Sequence, residues 1–379
     1  MNTYRLLAIL LLLIPGLTLA QSGPLSTSAE PFKLGTFRIG GVPKVGVVLR
    51  DQYIVDLEVA NRDLETNPIY PQVPIPDNMI DLIGQYEYGL KYRLYELVTR
   101  LVNDELVSGA EQPDYIYDRE DVHVMAPLQY PGKLLNAAVN FYSHVNESGS
   151  EEQRREAMRQ REEDRGVPYM FLKPTRGAII GADDEIIIPY GRDRTDWEVE
   201  LGAVIGRPAK YVSAVDAEDY VFGYTITMDI SDRGGRPPGG YGVSSDWFVG
   251  KGHDTFAPMG PWIVPKEFYG DPMANLRQTL SVDGEQIQEA QAGDMIHSLW
   301  ELVEYASSIS TLFPGDVINN GTSGGTMGVR ASGQSFLQDG EVVEASIDGI
   351  GSMRIRARAE TSRPEGTGAQ LTPVSEYRR

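Results

Sequence analysis

The chain has 379 residues, of which 41% are hydrophobic and 23% charged, so a packed core is expected and wholesale disorder is excluded. It carries 54 acidic against 34 basic residues, a net charge of −20, which argues against nucleic acid or an anionic membrane surface as a partner. Cysteine is absent, so neither a disulfide framework nor lipid attachment through cysteine can occur.

The N-terminus has the features of an export signal. Arg5 precedes an apolar run over residues 6–14, which Pro15 and Gly16 interrupt before a stretch of small residues. The run is too short for a membrane-spanning helix, which needs about 20 apolar residues. We predict cleavage after Ala20 and a periplasmic or secreted protein with no stable membrane insertion afterwards. An uncleaved anchor is the alternative.

The next third of the chain is predicted to form a small domain. Residues 21–31 are polar and rich in Pro and Ser, as is typical of a linker. Short β-branched runs at 34–60 and apolar residues at helical spacing at 76–108 predict a β-rich and helical N-terminal domain over 32–130. The polar segment 149–166 has Glu and Arg mixed at helical spacing. We interpret this segment as a solvated surface helix; a mobile cover over a site is the alternative.

The second half of the chain is predicted to be β-dominated. Turn residues separate strand-like runs at 178–181, 185–189, 198–205, 221–230 and 261–264. One strong helix is expected over 294–313, with Asp294 as its N-cap. We therefore expect an α+β fold in which β-structure dominates, with the main domain over 131–362 and a flexible tail over 363–379.

Three carboxylates in this half form a candidate metal site. Glu198 and Glu200 in DWEVELGAVIG project to one side, because strand residues alternate between faces. Two carboxylates beside an otherwise apolar strand need a positive charge, and Mg²⁺, Mn²⁺ and Ca²⁺ prefer oxygen ligands. Asp229, near the end of the next apolar run, would supply the third ligand. On these residues alone, an exposed edge strand with solvated glutamates is an equal alternative.

Several blocks occur together in one order and spacing: FLKPTRGAIIGADDEIIIP (171–189), DWEVELGAVIG (196–206), GYTITMDISDR (223–233), DWFVGKGHDTFAPMGPWIV (246–264), DMIHS (294–298) and PGDVINNGTSGG (314–325). They resemble the fumarylacetoacetate hydrolase family over about residues 130–358. The resemblance implies a mixed β-sandwich roll that holds one Mg²⁺ or Mn²⁺, with Ca²⁺ as a further option, on Glu198, Glu200 and Asp229. It also implies a homodimer, since members of the family usually dimerise.

The resemblance implies catalytic roles for three further residues. Lys251, in the block that continues as DTFAP, would reach the site, where its ammonium would stabilise an oxyanion or enolate. The segment NFYSHVNES supplies His144 and Glu147, which would lie one helical turn apart, the carboxylate orienting an imidazole that activates water. The alternatives are a surface lysine and a surface His–Glu pair. Phe141 departs from the tyrosine that the family often has, which affects a substrate contact.

The resemblance also points to three residues that would bind substrate. Arg233 follows the metal aspartate and could bind a substrate carboxylate, with a structural ion pair as the alternative. Thr322 lies in GTSGG, where a serine replaces the proline of the family. Lys173 is either catalytic or paired with an acid. The other histidines, His123, His253 and His297, are expected to be structural.

These residues together predict a metal-dependent enzyme. The first hypothesis is a hydrolase that cleaves a carbon–carbon bond in a 2-oxo or β-diketo acid, resembling acylpyruvate or fumarylacetoacetate hydrolysis, with a small oxo acid as its partner molecule. Without attack by water the same site would decarboxylate, hydrate or isomerise 2-oxo acids, so a lyase or isomerase is the second. The third is a non-catalytic envelope protein that binds a metal or a solute.

Overall fold

A computed structural model describes residues 26–109, 112–145, 147, 150–238, 246–326, 336–363 and 371–378. The predicted signal peptide and its cleavage site lie outside these residues, so export stays a prediction. Within the described ranges, no helix has the length and apolar character needed to cross a membrane.

The described chain is mainly β-structure, as the sequence predicts. The strands before residue 200 begin with β1 (Lys33–Ile39), β2 (Val42–Leu49), β3 (Tyr53–Asp56), β4 (Ile116–Asp118), β5 (His123–Met125), β6 (Leu134–Ala137), β7 (Met170–Lys173), β8 (Ile179–Ile180), β9 (Glu185–Ile188), β10 (Thr195–Asp196) and β11 (Val199–Ile205). Those that follow are β12 (Val221–Met228), β13 (Ser231–Asp232), β14 (Ala257–Pro265), β15 (Arg277–Val282), β16 (Glu285–Gln291), β17 (Val317–Asn319), β18 (Val342–Ile347) and β19 (Gly351–Ala359).

Helices lie between these strands along the chain. They are α1 (Leu57–Leu64), α2 (Met79–Gln85), α3 (Lys91–Asn103), α4 (Tyr142–Val145), α5 (Glu151–Glu163), α6 (Trp247–Lys251), α7 (Lys266–Tyr269), α8 (Pro272–Asn275) and α9 (Leu299–Ile309). The predicted helical region at 76–108 is thus two helices. The turn between them contains Gly89, whose φ of 123° lies in the region that favours glycine.

Two sheets pack against each other. The larger has twelve strands in the order β4-β3-β2-β1-β14-β12-β11-β17-β6-β7, with β5 beside β1 and β8 beside β14. The smaller has five strands in the order β16-β15-β18-β19-β9, and it packs across β11, β12 and β14. Both contain antiparallel and parallel pairs, and one hydrophobic core lies between them. The predicted α+β, mixed β-sandwich fold is confirmed.

The N-terminal segment shares the larger sheet with the main domain. Strand β1 pairs antiparallel with β14, with Leu34 opposite Ile263. A second core, which includes Leu94 and Val98 of α3, lies between this sheet and the N-terminal helices. The predicted boundary at residue 130 therefore divides one continuous sheet.

Two sequence predictions are corrected here. The helix predicted over 294–313 begins only at Leu299, because Ser298 accepts a hydrogen bond from the amide of Glu301 and forms a capping box with it. Asp294 instead closes a short 3₁₀ turn before the helix.

The predicted flexible tail is wrong for residues 371–378. The backbone amide of Val374 donates to the carbonyl of Gly191 (2.8 Å), and the Val374 side chain is buried. The buried guanidinium of Arg192 donates to the Tyr377 hydroxyl (2.7 Å) and to the Thr372 carbonyl (3.1 Å). A buried arginine far away in sequence thus fixes this segment on the body of the protein.

Candidate active site

Strand β11 positions the first two predicted metal ligands. It lies inside the larger sheet, between β12 and β17, so the edge-strand alternative is excluded. Glu200 is in the strand and Glu198 directly precedes it; their exposed fractions are 1% and 4%. The amide of Asp229 donates to the carbonyl of Glu198 (2.9 Å), which brings the third ligand beside the first two.

The three carboxylates form a compact acidic cluster, here called the triad. Oxygen atoms from Glu198, Glu200 and Asp229 lie within 4.8 Å of one another, and all three side chains are buried. Burial and the charges of Asp229 and Glu198 raise the pKa of Glu200 well above its ordinary value. A hard divalent cation would relieve this repulsion with the oxygen ligands it prefers, so the donor set fits Mg²⁺ or Mn²⁺.

Lys251 is buried against the triad and is therefore not a surface lysine. It ends α6, whose first turn is capped by Asp246. Its Nζ atom lies 2.8 Å from Glu198, 2.6 Å from Asp229 and 2.7 Å from the hydroxyl of Ser231. Burial lowers the pKa of Lys251, but Asp229 and Glu198 outweigh it and raise the pKa above the ordinary value. The side chain is thus an ammonium held at the candidate metal site.

Lys173 approaches the triad from β7. Its Nζ atom hydrogen bonds to Asp229 and donates to the carbonyl of Ile230 (2.9 Å). The residue is buried, and this burial lowers its pKa. Of the two predicted roles, the structure places Lys173 in an ion pair with an acid.

An aromatic group stands over Lys251. The Nζ atom lies 5.3 Å from the centre of the Phe171 ring. That ring packs against Trp247 at 4.7 Å, and Trp247 meets Tyr169 edge-on at 5.6 Å. A cation beside an aromatic face is attracted by the ring quadrupole, so Phe171 contributes to holding the ammonium in place.

Arg233 binds one carboxylate of the triad and one carboxylate outside it. Its Nε atom donates to Asp196 (2.8 Å), and its Nη2 atom makes an ion pair with Glu198. Burial opposes ionisation of Glu198, but Lys251 and Arg233 outweigh it and lower the pKa to about 2. The alternative of a structural ion pair is therefore present in the structure, and contact of Arg233 with substrate stays a prediction.

His144 and Glu147 form the predicted contact, but not as neighbours within one helix. The Nδ1 atom of His144 lies 2.6 Å from Glu147, although α4 ends at Val145 and the two residues do not share a helix. Glu147 also accepts hydrogen bonds from the amide and the hydroxyl of Thr326 (2.8 and 2.9 Å). Burial raises the pKa of Glu147, but His144 and Thr326 reverse this and lower it below the ordinary value. The carboxylate is thus fixed and ionised beside the imidazole.

His144 and Glu147, here called the dyad, line one cavity of about 570 Å³ together with Arg233. Helix α5 forms one wall of it. The lining residues on that helix and just after it have the i, i+3, i+4, i+7 spacing of one helical face: Ala157, Gln160, Arg161 and Asp164. The helix is therefore a surface helix without buried residues, as predicted foremost, and one of its faces also forms a wall of the cavity.

Comparison with known proteins identifies the family. The model of the fumarylacetoacetate (FAA) hydrolase C-terminal domain matches residues 133–358. The chain belongs to the fumarylacetoacetate hydrolase family. One relative is a protein from Burkholderia multivorans that is named provisionally as a hydrolase. It is 38% identical over 229 residues, which are 60% of this chain and 74% of that protein.

Two solved structures of enzymes are similar over most of the chain. Maleylpyruvate hydrolase from Sphingobium sp. SYK-6, in complex with manganese(II) ion and pyruvate, has a TM-score of 0.61 and 26% identity, covering 87% of this chain and 100% of that one. The 5-carboxymethyl-2-hydroxymuconate delta-isomerase from Mycobacterium smegmatis has a TM-score of 0.57 and 25% identity, with coverage of 87% and 100%. The predicted family is confirmed, and its relatives include both hydrolases and isomerases.

In this member of the fumarylacetoacetate hydrolase family, Thr322 supports the scaffold of the site. Its hydroxyl donates to the carbonyl of Val199 (3.0 Å) and accepts from Gln288 (2.9 Å). These bonds hold the GTSGG loop against β11. Contact of Thr322 with substrate stays a prediction.

Several residues around the site were not predicted from the sequence. Asp196, which holds Arg233, precedes Glu198 by two positions, so the strand alternation could have revealed it. Asn136 donates to Glu200 (3.2 Å) from β6, and no local pattern points to it. His253 lies 3.2 Å from Asp232, a partner that sequence alone did not name.

Proposed function

We propose that the protein is a divalent-metal-dependent hydrolase that cleaves a carbon–carbon bond in an acylpyruvate-type 2-oxo acid. One observation carries the proposal: the His144–Glu147 dyad opens on the same cavity as Arg233, whose guanidinium is bound to Glu198 of the triad. The candidate base thus lines the same space as the cation that binds Glu198, which supports a role for both in one reaction.

The dyad would supply the base. Because Glu147 is a carboxylate, it would accept a hydrogen bond from the Nδ1–H group of His144. The Nε2 atom of His144 would then be free to take a proton from water. The hydroxide adds to the acyl carbonyl carbon, the bond to the neighbouring methylene carbon breaks, and the departing enolate regains the proton from His144. The products are a carboxylic acid and pyruvate.

The triad and Lys251 would act on the oxo-acid end of the substrate. Bound Mg²⁺ or Mn²⁺ would polarise the 2-oxo carbonyl as a Lewis acid. The Lys251 ammonium, already fixed between Glu198 and Asp229, would stabilise negative charge that develops there. Manganese and pyruvate in the similar maleylpyruvate hydrolase support this choice of metal and substrate class.

An isomerase is the second candidate, because an isomerase is among the similar structures. If water is excluded, the same groups would only move a proton within the 2-oxo acid. The two reactions differ in whether an oxygen atom from water enters the product.

The test is turnover of acylpyruvates with Mn²⁺ or Mg²⁺ in H₂¹⁸O, followed by mass spectrometry. A hydrolase places ¹⁸O in the carboxylate of the released acid, and His144→Ala abolishes this incorporation. Isomerised substrate of unchanged carbon skeleton would support the second candidate. Binding of oxo acids with no turnover of any kind would contradict both and favour a binding protein.

We propose further that the mature protein is exported and dimeric. The apolar N-terminal segment supports export, and the dimers that members of the family usually form support a dimer. Intact mass of the periplasmic protein tests cleavage after Ala20, and light scattering after size-exclusion chromatography tests the dimer. A full-length mass or a monomer would overturn the respective part.

A further inference from the structure

We propose that Gln288 is a positioning residue that fixes the candidate metal ligands and the candidate base relative to each other. It lies on β16 of the smaller sheet and is 1% exposed. It acts through the backbone of Val199 and through the loop at residues 322–326. The inference rests on the proposed function for the role of the dyad, and on the acidic triad alone for its other half.

Strand β11 has no strand partner on one side at the point where it carries the candidate ligands. Its register with β17 covers Gly202 to Val204. The backbone amide and carbonyl of Val199, the residue between the two glutamates, therefore bind side chains instead of a neighbouring strand. Buried backbone groups need such partners, because an unpaired amide or carbonyl in the core is costly.

Two glutamines of the smaller sheet supply these partners. Gln288 accepts a hydrogen bond from the amide of Val199 through Oε1 (3.1 Å). Gln278 of β15 donates from Nε2 to the carbonyl of Val199 (3.1 Å). Both glutamines are buried. Since Glu198 and Glu200 flank Val199, these two bonds fix the backbone from which both candidate ligands project.

The same carboxamide of Gln288 also holds the loop that binds the dyad. Its Nε2 atom donates to the hydroxyl of Thr322 (2.9 Å) and to the carbonyl of Ser323 (3.0 Å). A few residues later, the backbone amides of residues 325–326 donate to the carboxylate of Glu147. One buried side chain thus connects the strand of the metal ligands with the carboxylate that orients the candidate base.

Close packing at Gly325 reinforces this connection. Gly325 has a φ of 96°, and a Cβ atom there would collide with the carbonyl oxygen of Ile287, the residue before Gln288. Its own carbonyl accepts a hydrogen bond from the indole of Trp197 (2.8 Å), which directly precedes Glu198. The loop is therefore pressed against β16 and tied to the start of the ligand strand, so displacement of Gln288 would be felt on both sides.

The main test uses Gln288→Met, which keeps the length of the side chain and removes its hydrogen-bonding groups. We expect Mn²⁺ binding to the metal-free protein to weaken about 10- to 100-fold in calorimetry, as is typical when a partner behind the metal ligands is lost. Hydrogen exchange at residues 325–326, followed by mass spectrometry, should rise above that of β15 because the loop loses its anchor. The kcat at saturating Mn²⁺ should fall.

Gln278→Met separates the two halves of the proposal. Among the described residues, no hydrogen bond joins Gln278 to residues 322–326, so this variant should weaken Mn²⁺ binding without the rise in exchange. Gln288→Glu is the second variant if Gln288→Met does not fold: it keeps an acceptor for Val199 and lacks the amide donor, so exchange of the loop should rise. The matched control Gln286→Met, at an exposed position of β16, should match wild type in both measurements.

Wild-type Mn²⁺ affinity and wild-type exchange in Gln288→Met would overturn the inference, as would an equal rise in exchange in Gln278→Met. Neither measurement needs turnover, so failure of the proposed function is distinguishable. If the protein turns over no acylpyruvate while both effects appear, Gln288 keeps its positioning role and the hydrolase assignment falls. Turnover with an unaltered kcat in Gln288→Met would overturn the inference and leave the function standing.

Discussion

The Nζ atom of Lys251 lies 2.6 Å from Oδ2 of Asp229, so an ammonium group and a candidate metal ligand are in direct contact. Within the described ranges, Glu200 forms no ion pair with a cation, and its side chain accepts a hydrogen bond from the neutral amide of Asn136 (3.2 Å). The three carboxylates of the triad therefore differ in how the protein balances their charge. This difference separates Glu200, which is a candidate metal ligand only, from Asp229, which also forms buried ion pairs.

Substitutions of Asp229 and Glu200 are expected to have opposite effects on the stability of the metal-free protein. Asp229→Asn removes the carboxylate that the buried Lys173 and Lys251 share and leaves Lys251 with Glu198 alone, which should cost about 3–5 kcal/mol of unfolding free energy. A carboxyl group whose pKa is raised by folding destabilises the folded protein at every pH above its ordinary pKa. Glu200→Gln should therefore raise the melting temperature at pH 7.5. Both variants should lose Mn²⁺ binding in calorimetry. Loss of stability in both would contradict the charge assignment.

Lys251→Met is expected to separate metal binding from catalysis. Removal of a positive charge beside Glu198 and Asp229 should strengthen Mn²⁺ binding, while kcat should fall by about 10²–10³ because the developing anion loses a donor. Titration with Mn²⁺ and steady-state kinetics measure the two effects. Weaker metal binding in this variant would show that the lysine organises the ligands instead.

His144→Ala is expected to lower kcat by about 10²–10⁴, the contribution of a positioned general base, and to keep Mn²⁺ affinity nearly unchanged. The imidazole hydrogen bonds to Glu147, and among the described residues no hydrogen bond joins it to a triad carboxylate, so the candidate ligands should stay in place. Unchanged hydrolysis would rule out His144 as the base.

The stability contributed by Glu147 is expected to depend on pH. Its pKa in the folded protein lies below the ordinary value of 4.5, so its contribution is present above about pH 4.5 and is lost as the pH falls through the folded value. Glu147→Gln should therefore melt below wild type at pH 7, with a difference that shrinks towards pH 3. Glu152→Gln, at an exposed position of α5, is the control and should show no such trend. A difference that grows in acid would have the wrong sign for this assignment.

A chain that stops after Arg363 is expected to lose both stability and substrate affinity. It would remove the hydroxyl and carbonyl partners of the buried Arg192, whose Nε atom also donates to Asp232 (2.6 Å), the neighbour of Arg233. We expect a lower melting temperature and a higher KM. Glu376→Gln, at an exposed position of the same segment, should leave both unchanged. A truncated chain with wild-type KM would show that the segment is only a surface addition.

Local patterns predicted the parts of the site that lie within one element. The alternation of strand residues placed Glu198 and Glu200 together, and Asp229 followed from the next strand along the chain. The ion pair of Lys173 with Asp229 joins residues far apart in sequence. It depends on the order β11-β17-β6-β7, which no short motif encodes.

The two errors at element ends have different causes, one local and one distant in sequence. The start of α9 was placed too early because both Asp294 and Ser298 are acceptable caps, and only Ser298 has a glutamate three residues later. The packing of residues 371–378 depends on Arg192, whose partners lie about 180 residues away. Composition alone predicted a flexible tail for that segment.

The contact of Phe171 with Trp247 has a practical consequence. Trp247 is one of four tryptophans, it is 39% exposed, and it is linked through a single ring to the ammonium at the triad. Trp262, by contrast, is buried in the core between the two sheets. The intrinsic fluorescence of the protein therefore offers a label-free optical signal for ligand entry, and Trp247→Phe provides the blank that isolates it.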